Sequence, residues 1–230
     1  MNESELLDEV RRLRAGGMSP REIARVLGVR AAVITPLVRR VAAEAAAIPV
    51  GARGLAGCWV SPGWSRELLV APRDGWADLD LGPDGPAGIA LVLVARTSLG
   101  DRVSVCGFLL DTFCLGVKNV IGPHEMRRRD LSIFARQYFM AFPAPPLSAP
   151  IELAQHLVLG SAAFAADLGF SAHPGFEAAR GHLGALDGPS AITFSREGRP
   201  LYVPGPFDDP AAVMETLLAT VGNDGFAVAA

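Results

Sequence analysis

The chain has 230 residues, half of them hydrophobic, so it is long enough to bury a core and to hold a small module beside a larger domain. A net charge of −3 excludes a uniformly basic coat protein, and three cysteines without a Cys-x-x-Cys pair argue against a disulfide framework. The N-terminal residues are acidic, unlike a signal peptide, and no apolar run approaches the ~20 residues that span a bilayer. A cytoplasmic protein without membrane contact is therefore expected.

The apolar residues of segment 3–47 recur at helical spacing and predict three helices. The first is expected to end at Gly16-Gly17. The second begins with a capping box: Ser19 caps the helix, a proline occupies its first position, and Glu22 completes the box. Gly28 ends this helix, and a third helix follows. Residues 1–48 are thus predicted to form one module, and the glycine-rich residues 49–57 a linker.

Residues 19–38 resemble the helix-turn-helix motif found in sigma-factor region 4 and in many small regulators. The resemblance is carried by the small Ala24 within the first helix of the motif, by Gly28 at the turn, and by apolar residues on either side of the turn. It implies a nucleic-acid-binding fold whose second helix faces the major groove. Pro36 lies in that helix and lacks an N–H, so we expect the helix to kink there or to begin later.

Charge is concentrated in the same region. Between Val10 and Arg40, eight arginines stand against a single acid, Glu22, so the stretch carries +7. Such a stretch is typical of phosphate binding, although a solvated helical face would have the same composition. Because only two arginines at groove-facing positions can make bidentate base contacts, phosphate contacts are expected to dominate. The candidate nucleic-acid-binding residues are Arg21, Arg25, Arg30, Thr35, Arg39 and Arg40.

Residues 58–230 predict an α+β domain with a mostly antiparallel sheet covered by helices. Apolar runs at 89–95 and 103–113 indicate a hairpin that turns at Thr97–Asp101. The other expected elements are short strands within 57–70, a loop over 72–88, helices over 131–142, 151–168 and 171–183, a second hairpin over 191–203, a helix from Pro210 to Val221, and an edge strand at 226–228.

The C-terminal region also looks like the corresponding part of uncharacterised helix-turn-helix proteins from high-GC bacteria. The segments that carry this resemblance are Cys58–Trp64, Cys114–Lys118, Leu168–Pro174 and Tyr202–Pro206. It implies a composite protein and brings no activity with it.

Lys118 is the only lysine beside 20 arginines, and it follows the strongest apolar segment of the chain. Arginine is a planar fork, whereas lysine is a compact charge that can lose its proton, so a retained lysine can mark a position that arginine cannot fill. With Asp111, Cys114 and His173 it forms the set of catalytic candidates: Lys118 as phosphate ligand, base or amine nucleophile, and Cys114 as thiolate. The structural alternative is a buried cysteine and a salt-bridged lysine.

No two histidines have metal-ligand spacing, and the chain contains no nucleotide-binding fingerprint, so neither a metal nor a cofactor is predicted. The leading hypothesis is a regulatory protein associated with DNA or structured RNA, with a C-terminal ligand-sensing or interaction domain. The alternatives are an enzyme with a site at Asp111, Cys114 and Lys118, and a scaffold factor associated with the ribosome or polymerase. The basic cluster Arg127–Arg129 could extend the phosphate-binding surface.

Overall fold

A computed structural model describes residues 2–83 and 85–229. It contains a three-helix N-terminal module and a domain built on a five-stranded antiparallel sheet, which confirms the predicted α+β class. The helices are α1 (Glu3–Ala15), α2 (Pro20–Val26), α3 (Ala31–Ala47), α4 (Leu131–Tyr138), α5 (Ile151–Asp167), α6 (Phe176–Ala179) and α7 (Pro210–Val221). The strands are β1 (Leu55–Val60), β2 (Leu69–Val70), β3 (Ile89–Thr97), β4 (Arg102–Asp111), β5 (Gly116–Arg127), β6 (Leu147–Ser148), β7 (Ile192–Thr193), β8 (Leu201–Tyr202) and β9 (Ala227–Val228).

The N-terminal module has its own core, in which Val10, Ile23 and Ile34 are fully buried, one from each helix. The predicted capping box is present at the start of α2, where the Ser19 side chain accepts the backbone N–H of Glu22 and the Glu22 carboxylate accepts that of Ser19. Gly28 turns the chain with a φ of +64°. Helix α3 begins at Ala31 and continues through Pro36, so the later start considered for this helix is wrong.

The main sheet has the strand order β5-β4-β3-β1-β6. Strand β3 lies at its centre, and its side chains alternate between two cores, with Val92 and Val94 on one face and Leu91 and Leu93 on the other. Helix α5 covers the first face and α4 the second. The predicted hairpin of β3 and β4 is confirmed, with Ile89 opposite Asp111 at its open end and Thr97 opposite Val103 near its turn.

Residues 116–127 are not predicted as a strand from the sequence, since the predicted apolar run ends at 113. They form β5, which pairs with β4 along its length. This strand is an edge strand, so several of its side chains are exposed and its apolar pattern is weak. An edge position also tolerates Pro123, whose missing N–H can face away from the ladder. Lys118 therefore lies within β5, beyond the turn that follows β4.

The prediction of a second hairpin over 191–203 is also wrong, because its two strands do not pair with each other. Only a tight turn between Arg196 and Arg199 is present, and the segments on either side of it pair elsewhere. Strand β7 pairs with β2, and β8 pairs in parallel with β9. The third helix of the domain is shorter than expected, because α6 gives way to a 3-10 turn over Arg180–His182.

The segment between the module and the sheet is ordered. Residues Val50–Ala52 form a 3-10 turn and β1 begins at Leu55, inside the stretch expected as a linker. Arg96 ties this segment to the domain: its buried guanidinium donates to the carbonyl oxygens of Arg53, His182 and Leu183. Among the described residues, no helix is both long enough and apolar enough to cross a membrane.

The turn between β4 and β5 supplies a stability test. Gly116 has a φ of +66°, and a methyl group there would lie 2.6 Å from the Ala165 Cβ and 2.7 Å from the Ser161 carbonyl oxygen. We expect Gly116→Ala to lower the free energy of unfolding by roughly 2–4 kcal/mol, because backbone strain and overpacking add. Gly188→Ala is the matched control, since its φ is +80° and nothing lies within 4 Å of the added methyl.

Urea denaturation of the two variants separates the contributions. Gly188→Ala should lose only the strain term of about 1–2 kcal/mol, so the excess loss in Gly116→Ala measures the packing of the turn against α5. Equal losses in the two variants would mean that this packing is loose.

Candidate functional sites: the arginine face and the Lys118 pocket

Helices α2 and α3 of the N-terminal module expose four arginines whose side chains form no ion pair or hydrogen bond with the described residues. They are Arg21 and Arg25 on α2, Arg30 at the start of α3, and Arg39 on α3, and we call them the arginine face. An unpaired, exposed guanidinium can bind a phosphate without first breaking an internal ion pair. These four residues are therefore the part of the predicted set that is available to a ligand.

The other two predicted nucleic-acid-binding residues have partners inside the module. Arg40 forms an ion pair with Glu44 at 3.1 Å, and the Thr35 hydroxyl donates to the Ala31 carbonyl oxygen at 2.9 Å. The charge of Arg11 on α1 is also neutralised, because it forms ion pairs with Asp8 of the same helix and with Glu44 of α3. The charge of +7 therefore overstates the free charge, since acids just outside the counted stretch pair with arginines inside it.

Lys118 on β5 forms an ion pair with both carboxylate oxygens of Asp208, which lies 90 residues away in the loop before α7. Its Nζ donates to both carboxylate oxygens, at 2.7 and 2.9 Å, and the two side chains are 20% and 8% exposed. The Gly205 N–H also donates to this carboxylate, at 2.8 Å. The pair thus fastens the loop Val203–Asp208 onto the edge strand of the sheet.

Burial by itself raises the pKa of Asp208, but hydrogen bonds from Lys118 and Gly205 and the charge of Lys118 outweigh it, so the pKa lies below its ordinary value. Asp208 is therefore ionised at neutral pH, and the interaction with Lys118 is a true ion pair. Below pH ~4 the carboxylate takes up protons and this contribution to stability is lost, as for any acid whose folded pKa is depressed.

The space around the ammonium group explains why this position is a lysine. A methyl group at Gly205 would lie 2.9 Å from the Lys118 Nζ and 3.0 Å from Asp208 Oδ2. The cation thus lies between the loop backbone and the carboxylate, where a compact ammonium fits, and we expect a planar guanidinium to displace the loop. The retained lysine therefore has a structural reason.

The pair lines a cavity of about 380 Å³ at the open end of the β3–β4 hairpin. Asp111 lies in the same cavity wall, and its Oδ1 accepts the backbone N–H groups of Phe113 and Cys114, both at 2.9 Å. Burial raises the pKa of Asp111, against the opposing effect of those N–H groups and of Lys118. The rim carries Phe207, which is 97% exposed. We call this cavity the Lys118 pocket.

The remaining two catalytic candidates do not line the pocket. Cys114 is fully buried, and burial together with the negative charges of Asp111 and Asp208 raises its pKa to about 12, so it is a thiol at neutral pH. The His173 Nδ1 accepts the Gly175 N–H at 3.1 Å, and its backbone N–H donates to the Val117 carbonyl oxygen. The structure thus brings Asp111 and Lys118 together and leaves Cys114 and His173 outside.

Asp208 is the pocket residue that sequence reasoning missed. The run Asp208-Asp-Pro210 signals a helix start, and Asp209 performs that function by accepting the N–H groups of Ala211 and Ala212. Two adjacent acids before one helix were a usable signal, because one cap needs only one of them.

No protein-family model matches the chain, and searches of curated proteins and of solved structures also found no match. In the part of the chain that the structure describes, no group of three histidine, cysteine or acidic side chains could hold a metal ion.

Replacement of Lys118 tests the enclosed ion pair. Lys118→Met leaves the nearly buried Asp208 carboxylate without its cation, so we expect a loss of about 2 kcal/mol in the free energy of unfolding. Lys118→Arg should recover less than half of that loss, because the guanidinium does not fit beside Gly205. Asp208→Asn in the Lys118→Met background should recover part of it, since no charge is then left unpaired. A Lys118→Arg protein as stable as the wild type would contradict the steric explanation.

The cysteines supply a second test. Burial raises the pKa of Cys58, Cys106 and Cys114 to about 12 each. At about pH 8 the folded protein should therefore react negligibly with a thiol-specific chromogenic disulfide, because the thiolate is the reactive form. All three thiols should react once the protein is denatured. One rapidly reacting thiol in the folded protein would identify a cysteine whose environment differs from the buried one described.

Proposed function

We propose that the protein is a DNA-associated regulatory protein that binds duplex DNA through α2 and α3, with α3 facing the major groove. The observation that carries this proposal is the arginine face: four exposed guanidinium groups without partners among the described residues, placed on two helices whose sequence resembles a helix-turn-helix motif. In this arrangement the first helix crosses the phosphate backbone and the second approaches the bases.

The composition of α3 favours phosphate contacts over base reading. At the exposed positions Ala31, Ala32 and Pro36 the side chains carry no hydrogen-bonding groups, and the Thr35 hydroxyl already donates to a backbone carbonyl. Only Arg30 and Arg39 could form bidentate contacts with a guanine edge. Affinity is therefore expected to depend strongly on salt and weakly on DNA sequence.

The relative positions of the three helices in the module are already fixed without a ligand. Its three helices share a buried core, and Arg11 of α1 reaches Glu44 of α3 at 2.8 Å, which holds the first and third helices together. Little conformational entropy would then be lost on binding, since the α2–α3 geometry is already set. This supports binding as a rigid unit.

A ligand-sensing role for the C-terminal domain rests on the Lys118 pocket. Its volume of about 380 Å³ lies within the range of small-molecule sites, and it combines apolar walls with a small number of placed charges. The enzyme alternative at Asp111, Cys114 and Lys118 gains no support, because the Cys114 thiol is protonated and the Lys118 ammonium is held by Asp208.

The DNA proposal is tested by fluorescence anisotropy with a labelled duplex over a series of salt concentrations. We expect Arg30→Ala and Arg39→Ala each to weaken binding about fivefold on any duplex and to reduce the salt slope by about 1, since each removes a phosphate contact. Arg136→Ala is the matched control, because Arg136 is also exposed on a helix but lies on α4, outside the module.

Affinity that does not fall as salt rises, or no binding of any duplex at low salt, would refute the DNA proposal. Preference for a structured RNA in the same assay would move the proposal from DNA to RNA while keeping the arginine face as the site.

A further inference from the structure

A second group of arginines meets at the junction of the module with the sheet. They surround a cavity of about 410 Å³, which we call the junction cleft. The charged residues that line it are Arg14 of α1, Asp101 of the hairpin turn, Arg102 of β4, Arg127 at the end of β5, and Arg129 just beyond it.

The cleft forms because the β3–β4 turn reaches the turn between α1 and α2. A methyl group at Gly100 would lie 3.6 Å from the Gly17 Cα and 3.8 Å from the Arg14 carbonyl oxygen, so the two turns are in close contact. The backbone N–H of Arg128 donates to the Asp101 carbonyl oxygen at 3.0 Å. The arginines that follow β5 are thereby held beside the end of α1.

The pairing of β4 with β5 places two like charges directly opposite each other. Arg102 and Arg127 are cross-strand neighbours, an arrangement that destabilises an antiparallel pair. Arg102 is partly compensated by Glu125 at 3.3 Å, whereas Arg127 forms no ion pair with the described residues. A stability cost of this kind, next to further arginines, is expected where the clustered charge serves to bind an anion.

The remaining groups of the cleft leave it positive. Arg14 donates to the Met18 carbonyl oxygen, and so it has a fixed position while retaining its charge. Arg129 has only an exposed contact of 3.7 Å with Asp130. Asp101 is the one acid in the lining, and it forms no ion pair with residues 2–83 or 85–229. An anionic partner is therefore the complement of this cleft.

The position of the cleft, close to the arginine face, favours as that partner the same DNA that the arginine face would hold. Gly17 lines the cleft and precedes Arg21 by four residues, so their Cα atoms are at most about 14 Å apart. This separation is well below the ~34 Å of one turn of B-DNA. Both sites therefore lie within the span of one duplex, and a repeating chain of phosphates suits several arginines better than a single small anion does.

We propose that the junction cleft is a second phosphate-binding site for the same duplex, so that DNA is held by both the module and the α+β domain. This inference rests on the proposed DNA binding. Arg14, Arg127 and Arg129 would each add one phosphate contact, so the salt slope of the wild type would exceed what the arginine face alone supplies by about 3.

The experiment uses the full chain with the double substitution Arg127→Ala and Arg129→Ala. We expect binding of a long duplex to weaken about 10- to 30-fold at low salt and the salt slope to fall by about 2, since two phosphate contacts are lost. Arg136→Ala, which lies outside the cleft, should leave both quantities unchanged. The thermal midpoint of the double variant should equal or exceed that of the wild type, because removal of Arg127 relieves its repulsion with Arg102.

The outcomes separate the two proposals. Wild-type binding that is weakened by Arg39→Ala but not by the double substitution would overturn the junction cleft and leave the arginine face intact. Absence of binding by the wild type would overturn the proposed function itself. A double variant that is folded and loses affinity together with salt slope would support the cleft.

Discussion

Strand β3 is the constraint on which the rest of the domain depends. Its residues 90–96 are all buried, so both faces of the sheet have to be covered, and α4 and α5 provide the two covers. The β3–β4 hairpin also positions the Lys118 pocket and the junction cleft. Its open end, at Ile89 and Asp111, lines the Lys118 pocket, and its turn, at Leu99–Asp101, lines the junction cleft. A strand of this length separates the two sites by about 30 Å.

The chain uses its two kinds of basic side chain for different physical tasks. Exposed arginines without partners among the described residues lie on α2 and α3, where a planar guanidinium can form two hydrogen bonds to phosphate oxygens. The single lysine lies between Asp208 and the backbone at Gly205, where a compact ammonium fits. Lys118 therefore stabilises the wall of the Lys118 pocket. The buried Arg96 has a third role: it donates to the carbonyl oxygen of Arg53, in the segment after α3, and to those of His182 and Leu183 in the domain, and so joins the two.

Features with strong local signals could be predicted. The capping box at Ser19, the turn at Gly28 and the cap at Asp209 are each determined within four residues, so the sequence reveals them directly. Strand β5 could not be recognised, because an edge strand exposes part of its length and shows no clear alternation. The partners of β7 and β8 could not be recognised either, since the tight turn at Arg196–Arg199 suggests a local hairpin while distant strands complete the pairing.

The sequence by itself determined the class of fold, the three helices of the module and the residues that carry charge, because periodicity, capping and composition act over short distances. Tertiary structure decided which charges distant in sequence meet. Arg11 is paired with Glu44, 33 residues away, and Lys118 meets an aspartate 90 residues away. It also brought Arg14 to the arginines around β5. Ion pairs and clefts depend on distances in space, and those distances follow from the packing of the sheet and not from the order of the residues.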